Sequence, residues 1–419
     1  HRSRSSYSFN TKVDNVEQLD ELDIFSYADI TTWNGKFMAE YFMAQKHVLK
    51  FGVEYLHHMF NPVVKQSTII LEGEEANILD RDSIIRAIES NFFIEDHYKI
   101  NERLSIYGGL HFNVFAPLDT VYTSIQPRLN LVWKPFKNHL TSLAITRMRQ
   151  NIHLLVNLGL GLPSDLWVPS TKNIGPTNAW QYSVSHSYEM DKFHFFQLGA
   201  FYKTFEGLFE FQSPVDLFYF FINESEVVPA YNTSRDWERN VLKGDGKAKG
   251  LEFLFQRKNK NINGWFSLTW SKSTRSFPDI DNGKSFPFKY DRTWDINTGI
   301  TYKINQYLSC AANFVYGTGQ TFSLSTEEYS SILGTSVINA GTRNNRRLPD
   351  FHQLSINVNY TRPFNQNNTW SLHFNVYNVY NRLNAYFIYI YKNPLTKESF
   401  ARKVSVLPIT PSIYFTVSF

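Results

Sequence analysis

Along much of the chain, apolar and polar residues alternate one by one. In the last segment Ile413, Phe415, Val417 and Phe419 fall on one side, and Tyr414, Thr416 and Ser418 on the other. The same phase sets Leu354, Ile356, Val358 and Tyr360 against Ser355, Asn357 and Asn359, and Phe266, Leu268 and Trp270 against Ser267, Thr269 and Ser271. A β-strand projects successive side chains to opposite faces, so a period of two makes a ribbon with one apolar face. A helical pattern is expected only near residues 75 to 87.

The connections between these runs alternate in length. Short polar turns are expected near Gln45–Lys46, Lys99–Glu102, Pro135–Asn138, Glu189–Lys192, Lys258–Asn263, Lys303–Gln306 and Pro363–Asn368. Long segments fall near 61–82, 151–178, 214–235, 277–288, 321–347 and 391–400. Tight turns at one end and long loops at the other are the rhythm of a transmembrane antiparallel β-barrel. The spacing predicts about sixteen strands, many of the roughly ten residues that a tilted strand needs to cross hydrocarbon. The expected fold class is therefore all-β.

Composition agrees with that geometry. Aromatic residues make up 16% of the 419 residues and charged residues only 19%, while mean hydropathy is −0.34. Half of each strand offsets the other half, and Tyr, Trp and Phe suit the two headgroup boundaries, where Trp265, Trp270, Trp370 and Tyr380 are expected. No apolar stretch is long enough for a membrane-spanning helix. One cysteine, Cys310, excludes a disulfide framework and a cysteine-based zinc site. The net charge of +4 is spread without a basic run, so no nucleic-acid partner is expected. The N-terminus, HRSRSSYSFN, has no signal-peptide core, which points to a protein that is not exported or to a mature or partial product.

The C-terminal quarter carries a more specific likeness. RNNRRLPDFHQLSINVNY (343–360), NNTWSLHFNVYNVYNRLNAY (367–386) and LPITPSIYFTVSF (407–419) resemble the end of TonB-dependent outer-membrane receptors of Bacteroidetes type. GDGKAKGLEFLFQRK (244–258), INGWFSLTWSKSTRSF (262–277), FPFKYDRTWDINTGITYKI (286–304) and the segment 147–188 look like the same barrels, so the likeness covers most of the chain from about residue 20. The resemblance implies a 22-stranded, plugged barrel. Residues 1–419 would then be the C-terminal portion of that barrel domain, with the N-terminal plug and first strands outside this chain. It also implies an active importer in a Gram-negative outer membrane, taking up an iron chelate, oligosaccharide or peptide with energy from the TonB complex. The C-terminal pattern is not that of SusC-type glycan importers, so a surface lipoprotein partner is admitted without being favoured. A passive porin-like channel and a barrel-borne surface enzyme are the alternatives. No catalytic chemistry, cofactor or metal is expected of the leading reading.

Candidate site residues follow from position. Arg147, Arg149 and Gln150 end a strand that feeds the 151–178 loop, where Asn151, Leu160, Pro163, Asp165, Trp167 and Pro169 supply the amides, carboxylate and rings that recognise sugars, peptides or chelates. Ordered loop packing is the competing reading of the same residues, and contact with lipopolysaccharide phosphate competes for the two arginines. Phe415, Val417 and terminal Phe419 resemble the signal read by the barrel assembly machinery, or simply face lipid. Phe218–Phe221 form an apolar patch in a long loop. The spacing Gly244, Gly246, Gly250 is expected to mark close strand approach rather than a phosphate loop, because a strand follows it. His57 and His58 lie on opposite faces of one strand and cannot share a metal.

Overall fold

The computed structural model describes residues 2–13, 16–44, 46–71, 74–81, 84–155, 166–212, 238, 241–323, 327–330, 336–339, 342–365, 368–392 and 399–418; side chains are described from residue 29, outside 62–83, 166, 324–341 and 389–399. In chain order the strands are β1 (Arg2–Val13), β2 (Val16–Met43), β3 (His47–Leu71), β4 (Glu74–Arg81), β5 (Ile85–Lys99), β6 (Leu104–Pro117), β7 (Tyr122–Trp133), β8 (His139–Gln150), β9 (Ile152–Leu155) and β10 (Leu166–Pro169). They continue with β11 (Thr177–Glu189), β12 (His194–Phe211), β13 (Val241–Lys258), β14 (Ile262–Ser276), β15 (Phe286–Pro287), β16 (Trp294–Lys303), β17 (Leu308–Gly317), β18 (Thr321–Phe322), β19 (Glu327–Ser330) and β20 (Ser336–Asn339). The last are β21 (Arg346–Arg347), β22 (Phe351–Pro363), β23 (Thr369–Tyr377), β24 (Ala385–Lys392), β25 (Ser399–Ser405) and β26 (Thr410–Ser418).

One large antiparallel sheet carries β2, β3, β5–β8, β11–β14, β16, β17, β22, β23 and β26, each paired to the next, and β1 adds a further strand along residues 16–27 of β2. No α-helix occurs among the described residues. The helical expectation at 75–87 is overturned: Glu74–Arg81 pairs with Val64–Leu71 in an outward extension of β3, and β5 begins at Ile85. Here cross-strand hydrogen bonding decides over a local pattern too short to specify a period.

Among the described residues the expected short turns lie at one end of the sheet, and three of them share one chemistry. Asn101, Asp191 and Asn305 each accept hydrogen bonds through the side-chain oxygen from the backbone N–H groups two and three residues on, at 2.7–2.9 Å. Such Asx turns satisfy backbone donors at the hairpin tip while reversing the chain.

Register sorts the two faces. Phe51, Val53 and Tyr55 on β3, Phe92 and Ile94 on β5, Leu110 and Phe112 on β6, and Ile125 and Leu129 on β7 stand in adjacent rows on one face and are all exposed. An exposed apolar patch of this extent suits hydrocarbon rather than water. The opposite, lumenal face bears Glu54, Glu89, Asn91, Asn113 and Gln126. Buried apolar side chains form small clusters towards the long-loop end: Phe60, Ile85, Ala87 and Phe115; Leu155, Val168, Ile174 and Phe209; and Phe277, Ile280 and Phe286.

The aromatic expectations divide. Trp370 stands on the lipid face between Tyr360 and Phe415, with ring centroids 5.5 and 5.9 Å away, and Trp270 faces Trp294 across the ladder. Trp265 shares the lumenal phase with Ser267 and Thr269 and covers Gly299, so it is not a lipid-boundary ring. Tyr380 lies beyond β23, its hydroxyl 2.8 Å from His352 Nδ1.

The glycines act as anticipated. A Cβ on Gly244 would stand 2.3 Å from the Ser276 carbonyl oxygen and 2.5 Å from the Phe277 ring. Gly244→Val should therefore displace Phe277 and destabilise the sheet by about 1–3 kcal/mol, read as a lower temperature for loss of heat-modifiable gel mobility in the purified receptor.

Candidate ligand-binding cleft

At the top of β8 the chain leaves the sheet and folds back as the β9–β10 hairpin, in which Ile152–Leu155 pairs with Leu166–Pro169. Alternation within the hairpin buries Leu155 and Val168 against Ile174 and Phe209. Its base is tied by Ser170 N donating to Asn151 O at 2.8 Å and by the Tyr122 hydroxyl donating to Thr171 O at 2.6 Å.

An open cleft of about 560 Å³ lies between this hairpin and the sheet, lined by Ile30, Thr32, Glu89, Arg149, Gln150, Asn151, Ile152 and Trp167. Four residues singled out by sequence, Arg149, Gln150, Asn151 and Trp167, thus come together. Arg149 is braced by Nη1 donating to Thr123 O and Nε donating to Asn178 Oδ1. Gln150 donates to Ile152 O at 2.6 Å, and Trp167 keeps 43% of its surface exposed. Arg147, two residues below, is not in the lining and donates to Ile125 O at 3.5 Å. Asp165, Leu160, Pro163 and Phe218–Phe221 lie outside the described residues, as does Phe419.

Beneath the cleft is a polar network that no local motif announces. Asn113 Nδ2 donates to Glu89 Oε1 at 2.7 Å and to Asn91 Oδ1 at 2.6 Å, and Asn151 Nδ2 donates to Asn113 Oδ1 at 3.0 Å. Asn34 Nδ2 and Asn91 Nδ2 both donate to Glu54, at 3.0 and 3.4 Å. His58 lies 2.9 Å from Thr32 Oγ1 through Nδ1, with Nε2 3.4 Å from Glu89 Oε2. Asn151 Oδ1 is buried without a partner among the described residues. Buried polar groups are ordinarily paired, so this acceptor is an exception within the network. The network holds Glu89 and Asn151 in position at the cleft, which limits the ordering cost of binding. Alternation on β5 places Glu89 and Asn91 on one face; the sequence held that signal, but not which strands would supply their partners.

His153 is the titratable group built into the hairpin. It is buried, 2.9 Å from Ser170 Oγ through Nε2, edge-on to Phe209 at 5.1 Å, and burial depresses its pKa to about 4, opposed by a hydrogen bond that the imidazole donates to the Gly175 backbone.

A wall of strands with one lipid-compatible face, one polar face and loops gathered at one end defines a transmembrane β-barrel protein. The family described as "TonB dependent receptor-like, beta-barrel" matches residues 1–379, and the chain belongs to it. Its members include Gram-negative outer-membrane receptors. Among solved structures, the chain is similar to the FrpB iron transporter from Neisseria meningitidis (13% identity, TM-score 0.58, covering 99% of this chain and 62% of that one). It is also similar to the ferripyoverdine receptor of the outer membrane of Pseudomonas aeruginosa (11%, 0.56, 99% and 52%) and to BauA, the ferric preacinetobactin receptor from Acinetobacter baumannii (12%, 0.55, 99% and 58%). The chain thus spans about half to three-fifths of the length of these proteins. No curated protein matches it.

Because His153 is neutral in the fold while its unfolded counterpart protonates near 6.5, stability is full above pH 6.5 and declines as pH falls towards 4. The loss totals about 3 kcal/mol at roughly 1.4 kcal/mol per pH unit. Hydrogen exchange of residues 166–177 should accelerate across that window, and His153→Gln should flatten the response.

Proposed function

We propose that this chain forms most of the barrel of an active importer, completed by a plug and further strands, that takes up a scarce nutrient with energy transmitted by TonB. The observation that carries this reading is the pair of free sheet edges. Among the described residues, β26 has a partner on one side only, and residues 29–43 of β2 pair only with β3. Unpaired backbone groups are not tolerated in lipid-exposed hydrocarbon, so a spanning sheet must close on itself. Further strands supply that closure, and the span relative to the similar structures leaves room for both strands and plug.

Ligand enters from the long-loop side, meets Trp167 and Gln150, and is bonded by Glu89, which Asn113 and Asn151 hold from behind. The source reading of a Bacteroidetes-type, non-SusC receptor stands as part of this proposal, with a surface lipoprotein an optional partner. Phe415 and Val417 lie on the outward phase of β26 beside Trp370, where an assembly factor engaging the last strand would meet them. Two of the similar structures are named as receptors of ferric complexes and one as an iron transporter, so ferric citrate and ferric catecholate complexes are the first probes, followed by oligosaccharides and peptides.

Cells producing the complete receptor should accumulate one of these probes only while TonB is present. Accumulation that persists without TonB would instead mark a passive channel. Trp167→Ala or Glu89→Gln should weaken uptake by tenfold or more at unchanged receptor abundance, as measured with labelled probe at limiting concentration.

A further inference from the structure

On the outward face, above the apolar band, β8, β13 and β14 carry cations where lipid-facing residues are expected, with β11 and β12 between them supplying rings and a hydroxyl. Cross-strand register places Arg147 (β8), Trp180 (β11), Thr204 (β12) and Lys247 (β13) in one row. The next row towards the short turns holds Tyr182, Tyr202, Lys249 and, on β14, Lys272. Below it come Val184, Ala200, Leu251 and Trp270, and then His186, Leu198, Phe253 and Leu268. On β12, β13 and β14 polarity thus changes from cationic and hydroxyl-bearing to apolar within about two residues of strand, or roughly 7 Å, while β11 returns to a polar residue at His186.

Lys249 and Lys272 are direct cross-strand partners, both exposed, and like charges set opposite each other destabilise a sheet. Neither they nor Lys247 has a salt bridge among the described residues, and Arg147 bonds only a backbone carbonyl. The nearest carboxylates on this face, Glu206 and Asp245, oppose each other one row further out, and Asp245 Oδ1 accepts from Gly207 N. The cations are therefore left for an external anion.

Resting on the outer-membrane reading above, we propose that Arg147, Lys247, Lys249 and Lys272 bind the phosphates of an acylated, multiply phosphorylated glycolipid in the outer leaflet. Two features select a lipid over a soluble anion. The rows directly below the cations are the apolar band itself, so acyl chains attached to the same molecule lie along Leu251, Ala200 and Leu198. The Tyr182, Tyr202 and Trp180 rings stand at the boundary, where an amphipathic ring meets a wet and an apolar neighbour at once. With neighbouring strands about 4.8 Å apart, the row from Arg147 to Lys247 covers roughly 14 Å, enough for more than one phosphate.

The test uses the complete receptor in detergent micelles and the variant Lys247→Gln/Lys249→Gln/Lys272→Gln. Native mass spectrometry follows binding of diphosphorylated lipid A, of the same lipid stripped of phosphate, and of inorganic pyrophosphate. The expected result is at least a tenfold loss of diphosphorylated lipid A binding in the variant, with the phosphate-free lipid bound equally by both proteins and pyrophosphate by neither. Equal binding of diphosphorylated lipid A by parent and variant would overturn the proposal, as would pyrophosphate binding as tight as that of the lipid. Heat-modifiable gel mobility reports the barrel separately: its presence in both proteins ties lost binding to the lysines, whereas its absence in the parent would overturn the outer-membrane reading along with this one.

Discussion

A backbone N–H or C=O in hydrocarbon has no water to turn to, and each one left unpaired costs several kcal/mol. Almost every feature of this chain follows from that constraint. Strands must be long enough to cross the layer, each must lie against its neighbour without interruption, and the turns must close tightly wherever the chain has no other work to do. The Asx turns at Asn101, Asp191 and Asn305 are the local device for this last requirement, because a single side-chain oxygen satisfies two backbone donors at the hairpin tip.

Once pairing is settled, the two faces are free to differ, and their chemistry separates. Phe51, Phe92, Phe112 and Ile125 meet lipid in neighbouring rows, while Glu54, Asn91, Asn113 and Gln126 meet one another or the lumen. Stability resides in the ladder and in three small apolar clusters under the loops rather than in one central core. The loops consequently have firm footings: the β9–β10 hairpin stands on Leu155, Val168 and Phe209, and the 277–288 segment on Phe277, Ile280 and Phe286. A further latch ties the ends of β12 and β14 to a loop residue, where Glu210 accepts from both Arg275 and Arg343, at 3.0 and 3.1 Å. Buried on all sides, such a group of charges fixes arrangement more than it adds net stability.

The cleft shows how this scaffold prepares a surface for ligand. Trp167 presents a ring, Gln150 an amide, and Glu89 an acceptor held by the Asn113 and His58 contacts behind it. Rigid strands place Glu89, and a hairpin with its own apolar core places Trp167, so a polar site is held without being shielded from water. The lipid-facing cations around Lys249 use the same scaffold in the opposite sense, with the outward phase of the strands setting charge immediately above an apolar band.

Strand identity, turn positions and the phase of each face were legible in the sequence because they depend on neighbours one or two residues apart. The alternation around Leu268, Leu354 and Phe415 is a local property, and the connection lengths follow from counting. Arg149, Gln150, Asn151 and Trp167 were recognisable together because they lie along one stretch of chain, from the end of β8 into the β9–β10 hairpin. Pairing partners decided the rest: that 75–87 belongs to strands, that Trp265 covers Gly299 within the lumen, and that Glu89, His58 and Asn113 meet Asn151. Each of those outcomes joins residues from different hairpins, and cross-strand register, which no short stretch of sequence contains, determines which side chains come within bonding distance.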